Sequence, residues 1–175
     1  MTSHFPLLSR LLHWSMAVTV LAMLFIGIAM VGSLANYHWL VAIHRPLGIL
    51  ILLLVVIRLV NRLIHPAPPL PPDMPPFLRF AAYASHVLLY VLMFALPLVG
   101  WAMLSAAGDP IVLFGTWHLP PILPHSANLY ALLRPLHTVL AFALFAFFLA
   151  HLGAALLHAF IFRDGVFQSM ASWRR

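Results

Sequence analysis

The sequence predicts an all-α membrane protein: a bundle of four transmembrane helices with both termini cytoplasmic. Three observations carry that prediction, namely the composition, the apolar stretches and the distribution of arginine. Of 175 residues, 64% are hydrophobic and 7% charged, with a mean hydropathy of +1.04. A soluble domain is about a quarter charged, so a water-soluble enzyme is excluded. A disordered chain would be polar, so disorder is excluded as well. The absence of Cys removes disulfide scaffolds, thiolate metal sites, iron–sulfur clusters and covalent haem attachment. What remains unusual is 11 His in a chain whose basic residues are 9 Arg and no Lys.

A bilayer core about 30 Å thick takes roughly 20 residues of apolar helix. Four stretches meet that length, at about 7–31, 40–63, 77–104 and 132–162. The first is too long for a signal-peptide core and has no small-residue cleavage site before soluble sequence, so it reads as a retained span. Residues 32–37 are a short turn, which makes the first two helices antiparallel neighbours. The run HPAPPLPPDMPP at 65–76 cannot be helix and reads as a stiff connector outside the membrane. Pro97 predicts a kink in the third helix without splitting it. Residues 105–131 form the longest loop, with turn signals at Gly108-Asp109-Pro110 and Pro120-Pro121. No internal repeat or separate soluble domain is visible, so residues 1–175 read as a single domain.

Arginine sets the orientation. Arg10, Arg58, Arg62, Arg79, Arg163, Arg174 and Arg175 fall on one side, and only Arg45 and Arg134 on the other. The positive-inside rule makes the first side, with both termini and the proline-rich connector, cytoplasmic. The formal charge of +6 is thereby a topology signal and calls for no nucleic-acid partner.

Ionisable groups within spans are costly and usually functional. His4, His38, His65, His118 and His125 belong to loops and ends. His13, His44, His86, His137, His151 and His158 lie within the spans. His137 and His151 are 14 residues apart, hence about 40° apart around the helix and roughly 21 Å apart along it. His158, seven residues further on, stays on that face. His44 matches His137 in depth near the periplasmic end, and His13 matches His151 and His158 near the cytoplasmic end. Two histidine pairs at two depths in an apolar bundle are what two non-covalent b-type haems need as axial ligands. A lone membrane histidine is usually a packing residue, but paired depths argue against that reading here. Zinc or copper would be left without carboxylate or thiolate ligands in the spans. Arg45, next to His44, and Arg134, three residues before His137, are placed to pair with haem propionates or to snorkel to the interface. Phe142, Phe145, Phe147 and Phe148 read as lipid contact or packing.

The run Arg10-Leu11-Leu12-His13-Trp14, the segment HRPLGILILLLVVIRLVNR at 44–62 followed by PAPPLPP, the stretch 86–100 ending in ALPLVG, and the histidines of the fourth helix together resemble the bacterial cytochrome b561 family. The resemblance covers nearly the whole chain in order. It implies a four-helix, di-haem inner-membrane protein that exchanges electrons with the quinone pool. One branch of the family oxidises superoxide at the periplasmic face and reduces ubiquinone. By this resemblance His13 and His151 hold the cytoplasmic-side haem iron, and His44 and His137 the periplasmic-side one. Depth alone would accept His158 as readily as His151. The 14-residue spacing, also similar to that in cytochrome b subunits of hydrogenases and formate dehydrogenases, selects His151. His158 is then free to hydrogen-bond a quinone carbonyl and deliver a proton, or to make a structural hydrogen bond. His86 reads as a helix–helix contact.

The expected partners are membrane lipid, quinone, and either superoxide or a periplasmic redox protein. The periplasmic loops set only Arg45 and Arg134 against Asp109, which leaves little positive potential to steer an anion.

Overall fold

A computed structural model describes residues 4–72 and 74–171. Four long helices dominate it: α1 (Leu7–Gly32), α2 (Tyr37–Ile64), α3 (Pro76–Ala107) and α4 (Ala127–Leu157). All four are long and apolar enough to cross a membrane. A strand pair, β1 (Val112–Leu113) and β2 (Trp117–His118), sits between α3 and α4, and a short α5 (Val166–Ala171) follows them. Four spans return the chain to the side on which it began. Arg174 and Arg175, counted above as cytoplasmic charges, lie outside the described residues.

Local chemistry sets the helix ends. Pro76 opens α3, where its missing N–H costs nothing. Gly108, at φ 72°, closes α3 in the left-handed conformation that glycine tolerates. Ser126 caps α4 by accepting a hydrogen bond from the Leu129 amide. The loop between α3 and α4 is therefore shorter than the sequence suggests, because both helices extend into it. Helix α3 runs unbroken through Pro97, as α2 does through Pro46 and α4 through Pro135.

The connecting segments are tied to the bundle. On the periplasmic side Trp101 Nε1 donates to the Pro120 carbonyl (3.1 Å), and the Ile122 amide donates to Ser105 Oγ (3.1 Å). The β1–β2 hairpin turns through Phe114 and Gly115, both at positive φ. On the cytoplasmic side Arg79 donates to the carbonyls of Pro71 and Pro72, which fastens the proline-rich connector. Asn61 Nδ2 donates to Ser9 Oγ at 2.7 Å, a buried polar link between α2 and α1.

The end of α4 departs from α-helical geometry. His158–Phe162 form a π-helical turn, closed by the Arg163 amide on the His158 carbonyl at 2.9 Å. Asp164 then accepts from the Val166 amide at the start of α5 while its other oxygen meets His158 Nδ1 at 2.6 Å. Trp14 Nε1 donates to the Met170 carbonyl and the Phe5 amide to the Ser169 carbonyl, so α5 lies against the start of α1.

Little of the bundle is a tight core. Val20, Ile51, Leu92, Leu96 and Leu144 form one buried layer contributed by all four helices. Many large apolar side chains face outward instead, among them Val18, Phe80 and Phe142 (69% exposed), as lipid contact requires. The phenylalanine run of α4 is thus divided, since Phe147 packs on the central layer and Phe142 does not.

Two outcomes follow from these links. Ser9→Ala strands the buried Asn61 amide and should destabilise the protein by about 1 kcal/mol, the usual size of such a bond in a membrane bundle. A thermal melt in detergent checks this, and an unchanged midpoint would contradict it. Asp164→Ala removes both the His158 contact and the start of α5. Amide exchange over residues 166–171 should then accelerate while the exchange of α3 stays as it was.

Candidate functional site

The four helices do not pack equally. Adjacent helices α1 and α2, α2 and α3, and α3 and α4 are in direct contact, whereas α4 makes at most slight contact with α1 and α2. Histidines point across that separation at two levels. At the periplasmic level the rings of His44 (α2) and His137 (α4) lie with centres 6.3 Å apart and planes at 65°. At the cytoplasmic level His13 (α1) and His151 (α4) lie with centres 6.2 Å apart and planes at 72°. No hydrogen bond joins the rings within either pair.

An imidazole nitrogen binds a metal at about 2.0 Å and lies about 1.1 Å from its own ring centre, so two imidazoles on opposite sides of one iron have centres about 6.2 Å apart. Both pairs have that separation. The Nδ1 atoms of His44 and His137 are buried without a hydrogen-bond partner, and the Leu96 carbonyl lies beside the His137 ring without a well-aligned bond to it. Imidazoles that face each other without bonding to each other fit a group held between them. Among the described residues, no group of three or more His, Asp or Glu is arranged to hold a bare metal ion. A group that brings its own equatorial ligands, as haem does, asks for two imidazoles alone.

The wall of the periplasmic pair is shaped by Gly100 on α3. A Cβ there would stand 3.1 Å from His137 Cε1, closer than most real contacts. Glycine lets the ring lie against the α3 backbone. Arg45, beside His44, makes a bidentate ion pair with Asp109 at the end of α3. Arg134 is exposed and its guanidinium has no partner among the described residues.

The cytoplasmic level holds more than its pair. His86 on α3 brings its ring to within 5.4 Å of His151, at 69°. Sequence reasoning treated His86 as a plain helix contact, since nothing in α3 alone indicates which neighbour it meets. Arg58 was read only as a topology charge. It turns inward: its Nη2 lies 3.2 Å from His13 Nδ1, its Nε donates to Tyr90 Oη at 3.1 Å, and its Nη1 reaches the Ser9 carbonyl at 3.4 Å. Tyr90 and Gly100 lie in the stretch 86–100 that carries part of the family resemblance, but nothing in the sequence singles out either one. A cation in a predicted span was the one signal that could have singled out Arg58. His158 does not face His13 as His151 does; its Nδ1 is held by Asp164.

Comparison with known proteins identifies the family. The family profile for prokaryotic cytochrome b561 matches residues 4–173. The chain is 33% identical to cytochrome b561 homolog 2 of Escherichia coli (strain K12) over 170 residues, 95% of this chain and 90% of that one. It is 32% identical to the probable superoxide oxidase CybB of Yersinia pestis over 141 residues, 78% of this chain and 77% of that one. Identity to cytochrome b561 homolog 1 of Escherichia coli is 29% over 168 residues, 94% of each chain. With four membrane-spanning helices and facing histidines, and matched over nearly its full length, the chain belongs to the prokaryotic cytochrome b561 family of haem-binding, multi-pass inner-membrane electron-transfer proteins.

Proposed function

We propose that His13 with His151, and His44 with His137, each hold one b-type haem, and that the chain passes single electrons from the periplasmic face to ubiquinone. The observation that carries this reading is the pair of ring separations, 6.2 Å and 6.3 Å, at two levels of one helix. Bound haem supplies a one-electron iron couple; the protein positions it and tunes it.

The chain's own residues divide the remaining work. Gly100 and the α3 backbone fix the orientation of His137. Arg134 is available to a propionate, and Arg45 reaches one by sharing its guanidinium with Asp109. His158, held at Nδ1 by Asp164, keeps Nε2 to exchange a hydrogen bond and a proton with a quinone oxygen. The π-helical turn that begins at His158 supports this assignment, because such turns are frequent at functional sites.

Superoxide is the donor we favour, supported by the likeness to the probable superoxide oxidase. Two superoxide ions each give up one electron and leave as O2; with two protons, those electrons convert one quinone to quinol. A protein donor is the second reading. It is favoured by the Arg45–Asp109 pair, which cancels half of the positive charge available on the periplasmic side to steer an anion.

Reduced-minus-oxidised spectra test the ligand assignment. His44→Ala and His137→Ala should each lose one b-type haem and keep the other, and loss of both or of neither would sink the pairing. Gly100→Val should mimic His137→Ala, because its side chain displaces the ring. A superoxide pulse separates the donors. Reduction near the diffusion limit that weakens with salt supports superoxide, and slow reduction indifferent to salt supports the protein donor.

A further inference from the structure

Arg58 is a charged side chain within a membrane-spanning helix, half-buried and without a carboxylate. The chain has three acidic residues, and both described ones are engaged elsewhere, Asp109 with Arg45 and Asp164 with His158. Arg58 is held in place by the Tyr90 hydroxyl and the Ser9 carbonyl, and its Nη2 lies beside His13 Nδ1. Its side chain also lies over the Tyr90 ring, 5.9 Å from the centroid. A guanidinium so placed keeps its full charge in surroundings that screen it poorly.

Resting on the two-haem reading, we propose that Arg58 is a positioning residue that sets the direction of electron flow by raising the reduction potential at the cytoplasmic pair above that at the periplasmic pair. Reduction of the iron adds one electron, breaks no bond and makes the site one unit more negative. A fixed cation beside an axial ligand therefore favours the reduced state. Arg58 acts through His13 as well. In a helix the usual acceptor for an imidazole Nδ1–H is the carbonyl four residues back, which for His13 is Ser9. Arg58 occupies that carbonyl, so with Nε2 on iron the proton on His13 Nδ1 loses that acceptor, and the imidazole is a weaker electron donor than one whose Nδ1–H is bonded to a carbonyl. The periplasmic level lacks an equivalent. The charge of Arg45 is matched by Asp109, and Arg134 is exposed to solvent that screens it. The cytoplasmic level thus holds a poorly screened positive charge that has no counterpart among the described residues at the periplasmic level, and the downhill direction runs from periplasm to cytoplasm.

Potentiometric titration of the purified haem-loaded protein, with dithionite and ferricyanide as reductant and oxidant, tests this without reference to turnover. The wild type should show two one-electron components. Arg58→Gln keeps hydrogen-bonding atoms but no charge, and should shift one component to lower potential while the other stays. Arg58→Lys, which keeps the charge, should stay nearer the wild type. Asp109→Asn leaves Arg58 untouched and removes the partner of Arg45; it should raise the other component and narrow the gap. Components that ignore Arg58→Gln overturn the inference. So does a fall in Arg58→Lys as large as in Arg58→Gln, and so does loss of haem from Arg58→Gln, which would make the role structural. A component that does not respond to Asp109→Asn removes the periplasmic half of the argument and overturns the stated asymmetry. Haem content per chain is measured beside the titration: one haem per chain overturns the two-haem reading itself, whereas two haems that titrate as a single component overturn the asymmetry.

Discussion

The separation of α4 from α1 and α2 is the constraint around which the bundle is organised. A four-helix bundle left to itself closes on its apolar residues, and its helices approach to about 8–10 Å. Here α4 packs closely on α3 and meets α1 and α2 at the central layer, and imidazoles face each other across the space above and below that layer. The small number of buried side chains in α4 follows from this, since Leu144 is its only buried residue among those described. So does the glycine at position 100, where α3 must admit the His137 ring. A haem-binding bundle is incomplete without haem, and part of the stability of the folded chain must come from ligand binding.

Charge is used sparingly and each instance is specific. Asp109 closes the periplasmic loop onto α2 through Arg45, and Asp164 joins His158 to the first turn of α5. Arg79 holds the proline-rich connector through carbonyl groups, and Arg62 lies over the Phe5 ring, 5.5 Å from its centroid. In a bilayer the backbone carbonyls and aromatic faces that water would otherwise outcompete become useful partners for guanidinium groups. Arg58 belongs to the same pattern, held by a hydroxyl and a backbone carbonyl within a span.

Helical period explains how much could be read from sequence. Depth and azimuth along one helix follow from 1.5 Å and 100° per residue, so the placement of His137 and His151 on one face was legible, as were the matching depths of His13 and His44. Lateral relations were not. That Arg58 meets His13, 45 residues away, or that Asp109 meets Arg45, 64 residues away, depends on how the helices rotate against one another. His86 and His151 were both visible as membrane histidines, yet their proximity needed the packing of α3 on α4. The hairpin at 112–118 was hidden because its strands are two residues each and carry no periodicity.

The buried layer at mid-height has a position that is simple to state. Val20, Ile51 and Leu144 each lie seven residues from a histidine of their own helix: His13, His44, and both His137 and His151. Leu92 and Leu96 complete the layer from α3, and Met23, Met93 and Phe147 pack around it. None of these side chains carries a hydroxyl, amide or charge, so the layer offers no relay for a proton and no polar wall to hold a file of water. An electron can tunnel through such a plug; a proton cannot follow it. Charge that crosses this bundle would therefore cross unaccompanied, and the protein could move electrons through the membrane without discharging the proton gradient that the membrane maintains.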